Sequence, residues 1–66
     1  MQIICNGETR EIATECSVEQ FIIDAGLDPD AVVAECDGRI LKRQEYASQM
    51  LSNGMRLELI RFVGGG

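Results

Sequence analysis

Residues 16–27 read CSVEQFIIDAGL, from Cys16 to Leu27, and this stretch carries more structural instruction than any other part of the chain. Ser17 is a good helix N-cap, because its hydroxyl can accept a backbone N–H that would otherwise lack a partner. Gln20, three positions on, completes the pattern of a capping box. Cys16 and Phe21 hold the positions of a hydrophobic staple across that cap. Val18, Phe21, Ile22 and Ala25 then recur at the spacing of one helical face. Gly26 stands where a left-handed residue ends a helix, with Leu27 placed to fold back on it. About nine residues, or about 13 Å, of amphipathic helix are expected here, enough to cross one small sheet.

Strand signals lie on both sides. Met1, Ile3 and Cys5 alternate in MQIIC, and Asn6-Gly7 is the strongest short hairpin signal, since both residues tolerate positive φ. ETREIA is read as the returning strand mainly because the hairpin needs a partner. After the helix, Asp28-Pro29-Asp30 reads as a turn and AVVAEC as a short strand ended by Asp37-Gly38. RIL follows as a brief strand, and KRQEYASQML as a helical turn or an irregular crossing. Ser52-Asn53-Gly54 forms a further turn before a last strand, MRLELIRFV, with Leu57 and Leu59 on one face. The order β-β-α-β-β-β predicts an α+β fold, with an antiparallel or mixed sheet curled around one central helix.

Composition bounds what such a domain could do. At 66 residues the chain is one domain near the lower size for a self-sufficient core. It holds three cysteines, Cys5, Cys16 and Cys36, and no histidine. An odd count without a CxxC pair argues against a disulfide framework and a zinc site, and no bound cofactor is expected. The thiols read as small buried hydrophobes in a reducing cytoplasm, with one reactive thiol as the alternative. No signal peptide or membrane span is visible, so a cytoplasmic protein without membrane contact is expected. The net charge of −5, the dispersed Lys and Arg, and the three aromatics in all weigh against nucleic acid. Without histidine there is no Ser-His or Cys-His nucleophile, and the carboxylates form no evident acid–base pair.

One group remains. The sequence ends Phe62-Val63-Gly64-Gly65-Gly66, which places an α-carboxylate on a slim arm of about 14 Å at most. The expected organisation is a domain over 1–63 and a flexible glycine tail over 64–66. A carboxylate resists nucleophilic attack until an ATP-dependent partner turns it into an acyl-adenylate. Glycine suits that step: it passes a narrow channel, leaves its carbonyl unshielded and cannot epimerise. The alternative is a frayed end without function. Alternation along the last strand sets Ile60 and Phe62 on the outer face with Glu58, and Val33 outward beside them. Val33, Ile60 and Phe62 could form a partner-docking patch beside the tail, or the strand end could pack under a loop.

The MQI opening, Asn6-Gly7, Val18 with Phe21-Ile22, RILKRQEY at 39–46, Asn53-Gly54 and the final VGGG together resemble the ThiS family of ubiquitin-like β-grasp sulfur carriers. The resemblance covers essentially the whole chain. Two positions depart from the family pattern, Asp37 where Asn is common and Lys42 where Pro is frequent. The resemblance implies a β-grasp sheet of four to five strands and a carrier monomeric when free, acted on by enzymes and not itself a catalyst. A ThiF-type adenylating enzyme would consume ATP to activate Gly66. Sulfur from a cysteine-derived persulfide would replace AMP, and the Gly66 thiocarboxylate would serve a ThiG-type thiazole synthase in thiamine biosynthesis. Gly65 and Gly64 would give passage into the partner. Rival readings are a carrier for molybdopterin or cysteine synthesis, a ubiquitin-like modifier, and a non-covalent binding domain.

Overall fold

The computed structural model describes residues 1–13 and 15–62. The strand expected to run through Val63 and the flexible tail expected at 64–66 therefore lie partly or wholly outside the described residues.

The expected hairpin forms at Asn6-Gly7. Strand β1 (Gln2–Cys5) returns as β2 (Glu8–Glu11), paired antiparallel from Gln2↔Glu11 to Cys5↔Glu8. Asn6 at φ 49° and Gly7 at φ 82° supply the two positive values that a tight hairpin requires. Helix α1 spans Val18–Asp24, shorter than the nine residues expected. Gly26 at φ 80° ends it: the Gly26 N–H donates to Ile23 O (2.9 Å) and the Leu27 N–H to Ile22 O (3.1 Å), the paired bonds of a Schellman motif.

Two details at α1 correct the sequence reading. The Gln20 N–H does donate to Ser17 Oγ (3.0 Å), but the Gln20 side chain turns forward to Asp24 Oδ1 (2.8 Å), so the capping box is only half made. Ala25 is exposed, because it caps the helix where the backbone is already turning away from the sheet. Val18, Phe21 and Ile22 are the residues that α1 buries.

A 3-10 turn at Pro29–Ala31 leads into β3 (Val32–Cys36), β4 (Arg39–Ile40) follows Asp37-Gly38, and a second 3-10 turn spans Arg43–Glu45. Ala31, expected in the strand, belongs to the first turn. The last strand, β5 (Arg56–Arg61), enters the middle of a five-stranded sheet ordered β2-β1-β5-β3-β4. It runs parallel to β1 and antiparallel to β3, which makes the sheet mixed.

The inner face of the sheet contributes Ile3, Cys5, Ala34, Cys36, Leu57 and Leu59 to the core beneath α1. The segment between β4 and β5 closes the side with Leu41, Tyr46 and Leu51. Strand β4 pairs only with Glu35 and Cys36, so the first half of β3 is left at an edge. Tyr46 takes over there: its hydroxyl donates to Val32 O (2.7 Å) and accepts from the Ala34 N–H (3.1 Å). Those two bonds satisfy backbone groups that would otherwise be buried unpaired. One helix gripped by a five-stranded mixed sheet is the ubiquitin-like β-grasp arrangement.

Candidate docking face and C-terminal strand

Strand β5 is the last described strand, and it is held on both sides. Five register pairs tie it to β3, from Cys36↔Leu57 to Val32↔Arg61, and the Phe62 N–H adds a further bond to Ala31 O (2.9 Å). On the other side β1 pairs only with Arg56 and Leu57. Asn6 extends that contact with its side chain. Its Oδ1 accepts from the Leu59 N–H (2.8 Å) and its Nδ2 donates to Leu59 O (3.3 Å). Asp37 acts similarly at the start of β5, accepting from the Arg56 N–H (2.8 Å) on Oδ1. Sequence reasoning assigns both residues to turns alone.

The outer face of the sheet is where the expected patch lies. Val33 is directly opposite Ile60 across the β3–β5 ladder, and Phe62 follows two residues on. Ile60 is 56 % exposed and Phe62 58 %, while Val33 is half-buried. Ile40, which sequence reasoning does not place on this patch, is 66 % exposed and pairs with Glu35 on the same face. Where β4 stops, Val33, Ile40, Leu41, Tyr46 and Phe62 line a groove of about 290 Å³. Glu35 sits directly opposite Glu58 in the ladder that also pairs Val33 with Ile60. That juxtaposition depends on register between distant strands and leaves no mark in either strand's own sequence. Gly64, Gly65 and Gly66 lie outside the described residues.

The thiols offer little chemistry. Cys5, Cys16 and Cys36 are free and buried, and burial pushes each thiol above its ordinary value. Neutral, enclosed thiols are poor nucleophiles. Among the described residues no group of three or more His, Cys, Asp or Glu could hold a metal ion, and no helix is long and apolar enough to cross a membrane.

Comparison with known proteins fits this geometry. The model of the ThiS family matches residues 3–66. A thiazole synthase from Paramagnetospirillum magneticum is 32% identical over 66 residues, which cover 100% of this chain and 20% of that protein. A thiazole synthase from Magnetococcus marinus is 27% identical over the same length, again 20% of that protein. The chain thus spans about a fifth of the length of these curated relatives. Among solved structures, the crystal structure of thiamine biosynthesis protein ThiS from Geobacter metallireducens superposes with a TM-score of 0.85 at 23% identity, covering 100% of both chains. The solution structure of a thiamine biosynthesis protein from the same organism gives 0.82 at 25% identity, covering 100% of this chain and 88% of that one.

Proposed function

The chain belongs to the ThiS family, and from that premise we propose that its sulfur-carrier role is performed at Gly66, in the supply of sulfur for thiazole formation. The observation that carries this reading is the reach of the family match, which runs through the three glycines to residue 66. The relatives named thiazole synthase support a ThiG-type enzyme as the acceptor's side of the reaction.

The chemistry follows from the carboxylate. A ThiF-type enzyme transfers AMP from ATP to the Gly66 carboxylate and releases pyrophosphate. The terminal sulfur of a cysteine-derived persulfide attacks the acyl carbon, a C–S bond forms, and AMP departs with the C–O electron pair. A second thiol then reduces the S–S bond, leaving the thiocarboxylate and a disulfide. The carrier supplies the acyl group and an arm to present it, and its partners supply the catalysis. Gly65 and Gly64 keep the arm narrow enough to enter the partner's channel. Val33, Ile60 and Phe62 form the foothold for the adenylating enzyme, at the end of the strand from which the arm departs.

Intact-mass measurement after incubation with ATP, a persulfide donor and a ThiF-type enzyme tests the reading. The expected result is a gain equal to replacing one oxygen by sulfur, located at Gly66 by fragmentation, and abolished by deleting Gly65 and Gly66. No gain with an enzyme that adenylates another carrier under the same conditions would overturn it.

A further inference from the structure

Two carboxylates face each other on the proposed docking surface. Glu35 and Glu58 are Cα partners in the antiparallel β3–β5 ladder, so their side chains leave the same face about 5 Å apart. Both are half-buried. Among the described residues neither makes an ion pair or accepts a side-chain hydrogen bond. Like charges directly opposed across strands disfavour the fold, and among the described residues no ion pair to either carboxylate offsets this. Apolar groups flank the pair on two sides, Ile40 as the cross-strand neighbour of Glu35 and Val33 with Ile60 as the next outward-facing row, while Arg56 shares the outer face at the other end. A chain of net charge −5 adds a field of the same sign.

From this arrangement we propose that the adenylating enzyme docks with a basic side chain, Arg or Lys, seated between Glu35 and Glu58, and with apolar groups against Ile40, Val33 and Ile60. The proposal rests on the reading of this face as the docking surface and adds the chemistry of what occupies it. A cation at that position relieves the repulsion only in the complex, so the pair adds to binding what it withholds from the free fold. The apolar surround lowers the local dielectric on docking and strengthens the contact. A guanidinium suits the site best, because its planar fork can address two carboxylates at once. A second copy of this chain is a poor occupant, since a two-fold pairing of this face would bring four carboxylates together.

Binding of a purified ThiF-type enzyme to four variants, at low and high ionic strength, tests the proposal. The variants are Glu35→Gln with Glu58→Gln, Glu58→Lys, Ile60→Ser, and a charge control, Glu8→Gln with Glu15→Gln, on exposed positions elsewhere. Neutralising the facing pair is expected to raise Kd about tenfold and to flatten its salt dependence. Thermal unfolding of that variant should stay level or move upward, because the repulsion is gone. Glu58→Lys should bind at least as poorly while folding normally, since the introduced ammonium would face Glu35 as an opposite charge. The control should leave Kd within about twofold; an equal loss there would overturn the proposal in favour of a general charge effect. An unchanged Kd on neutralisation, with Ile60→Ser weakening binding, would overturn the cation while leaving the docking face intact. Unchanged affinity in Ile60→Ser as well would remove the docking face itself.

Discussion

Asn6 is the residue whose two roles differ most in origin. Its positive φ serves the hairpin, which is a local matter, while its carboxamide clasps the backbone of Leu59 in a strand 53 residues away. The clasp lies shortly before Phe62, so it stiffens the end of β5 from which the terminal residues depart. Replacing Asn6 with Gly keeps the turn conformation and removes the clasp. The expected cost is about 1–2 kcal/mol, for two lost hydrogen bonds to a partly buried backbone. Urea unfolding would measure it, and faster hydrogen exchange at the Leu59 amide would locate it. Lys42 shows a smaller effect of the same kind. Its N–H donates to Glu45 Oε1 (2.7 Å), a bond that a proline at this position could not make, and this bond is the main cause of the lowered Glu45 pKa.

At the scale of the element, α1 illustrates how a short helix is terminated at both ends. Seven residues give too few internal bonds for independent stability, so the cap, the Schellman turn and one buried face all matter. Gly26→Ala tests the C-terminal end cleanly. A Cβ added there would meet nothing within 4 Å, so the cost comes from the backbone at φ 80° and not from collision. A destabilisation of about 1 kcal/mol is expected, read as a lower unfolding midpoint with unchanged far-ultraviolet dichroism. Strand alternation is equally readable: Leu57 and Leu59 point inward, and Glu58 and Ile60 point outward. Ala25 and the second half of the capping box are where sequence spacing misleads. Helical spacing says which residues share a face, yet it does not say where along its length the helix leaves the sheet.

For the whole molecule, the core holds three buried thiols, two on the inner face of the sheet and Cys16 just before α1. Burial raises the pKa of Cys5, Cys16 and Cys36 above the ordinary thiol value of 9.0. Between that value and the raised folded one, the unfolded chain has lost protons that the folded chain keeps. Stability is therefore fully present below pH 9.0 and falls as the pH rises beyond it. Denaturant titrations across that range should show the decline, and a variant with all three cysteines replaced by alanine should show a weaker one. Iodoacetamide should label the thiols only as fast as the protein opens. The acidic surface has a different consequence under the proposed docking, where the facing Glu35 and Glu58 would make charge part of partner selection.

Most of the elements are legible in the sequence because their signals are local. Asn6-Gly7, Ser17 with Gln20, Gly26, and Asp37-Gly38 each constrain φ and ψ within a few residues, and alternation sorts each strand into an inner and an outer face. The glycines at 64–66 stand out in the sequence as well, and they lie outside the described residues. What requires the folded chain is the pairing between strands. The parallel contact of β1 with β5 and the register of β3 on β5 join residues far apart in the chain, and no short-range preference encodes them. Only that register sets Glu35 against Glu58 and Val33 against Ile60, and gives the Asn6 carboxamide its hold on Leu59. Local backbone chemistry settled which segments became strand, helix and turn, and the shared burial of one inner face settled which side chains meet on the other.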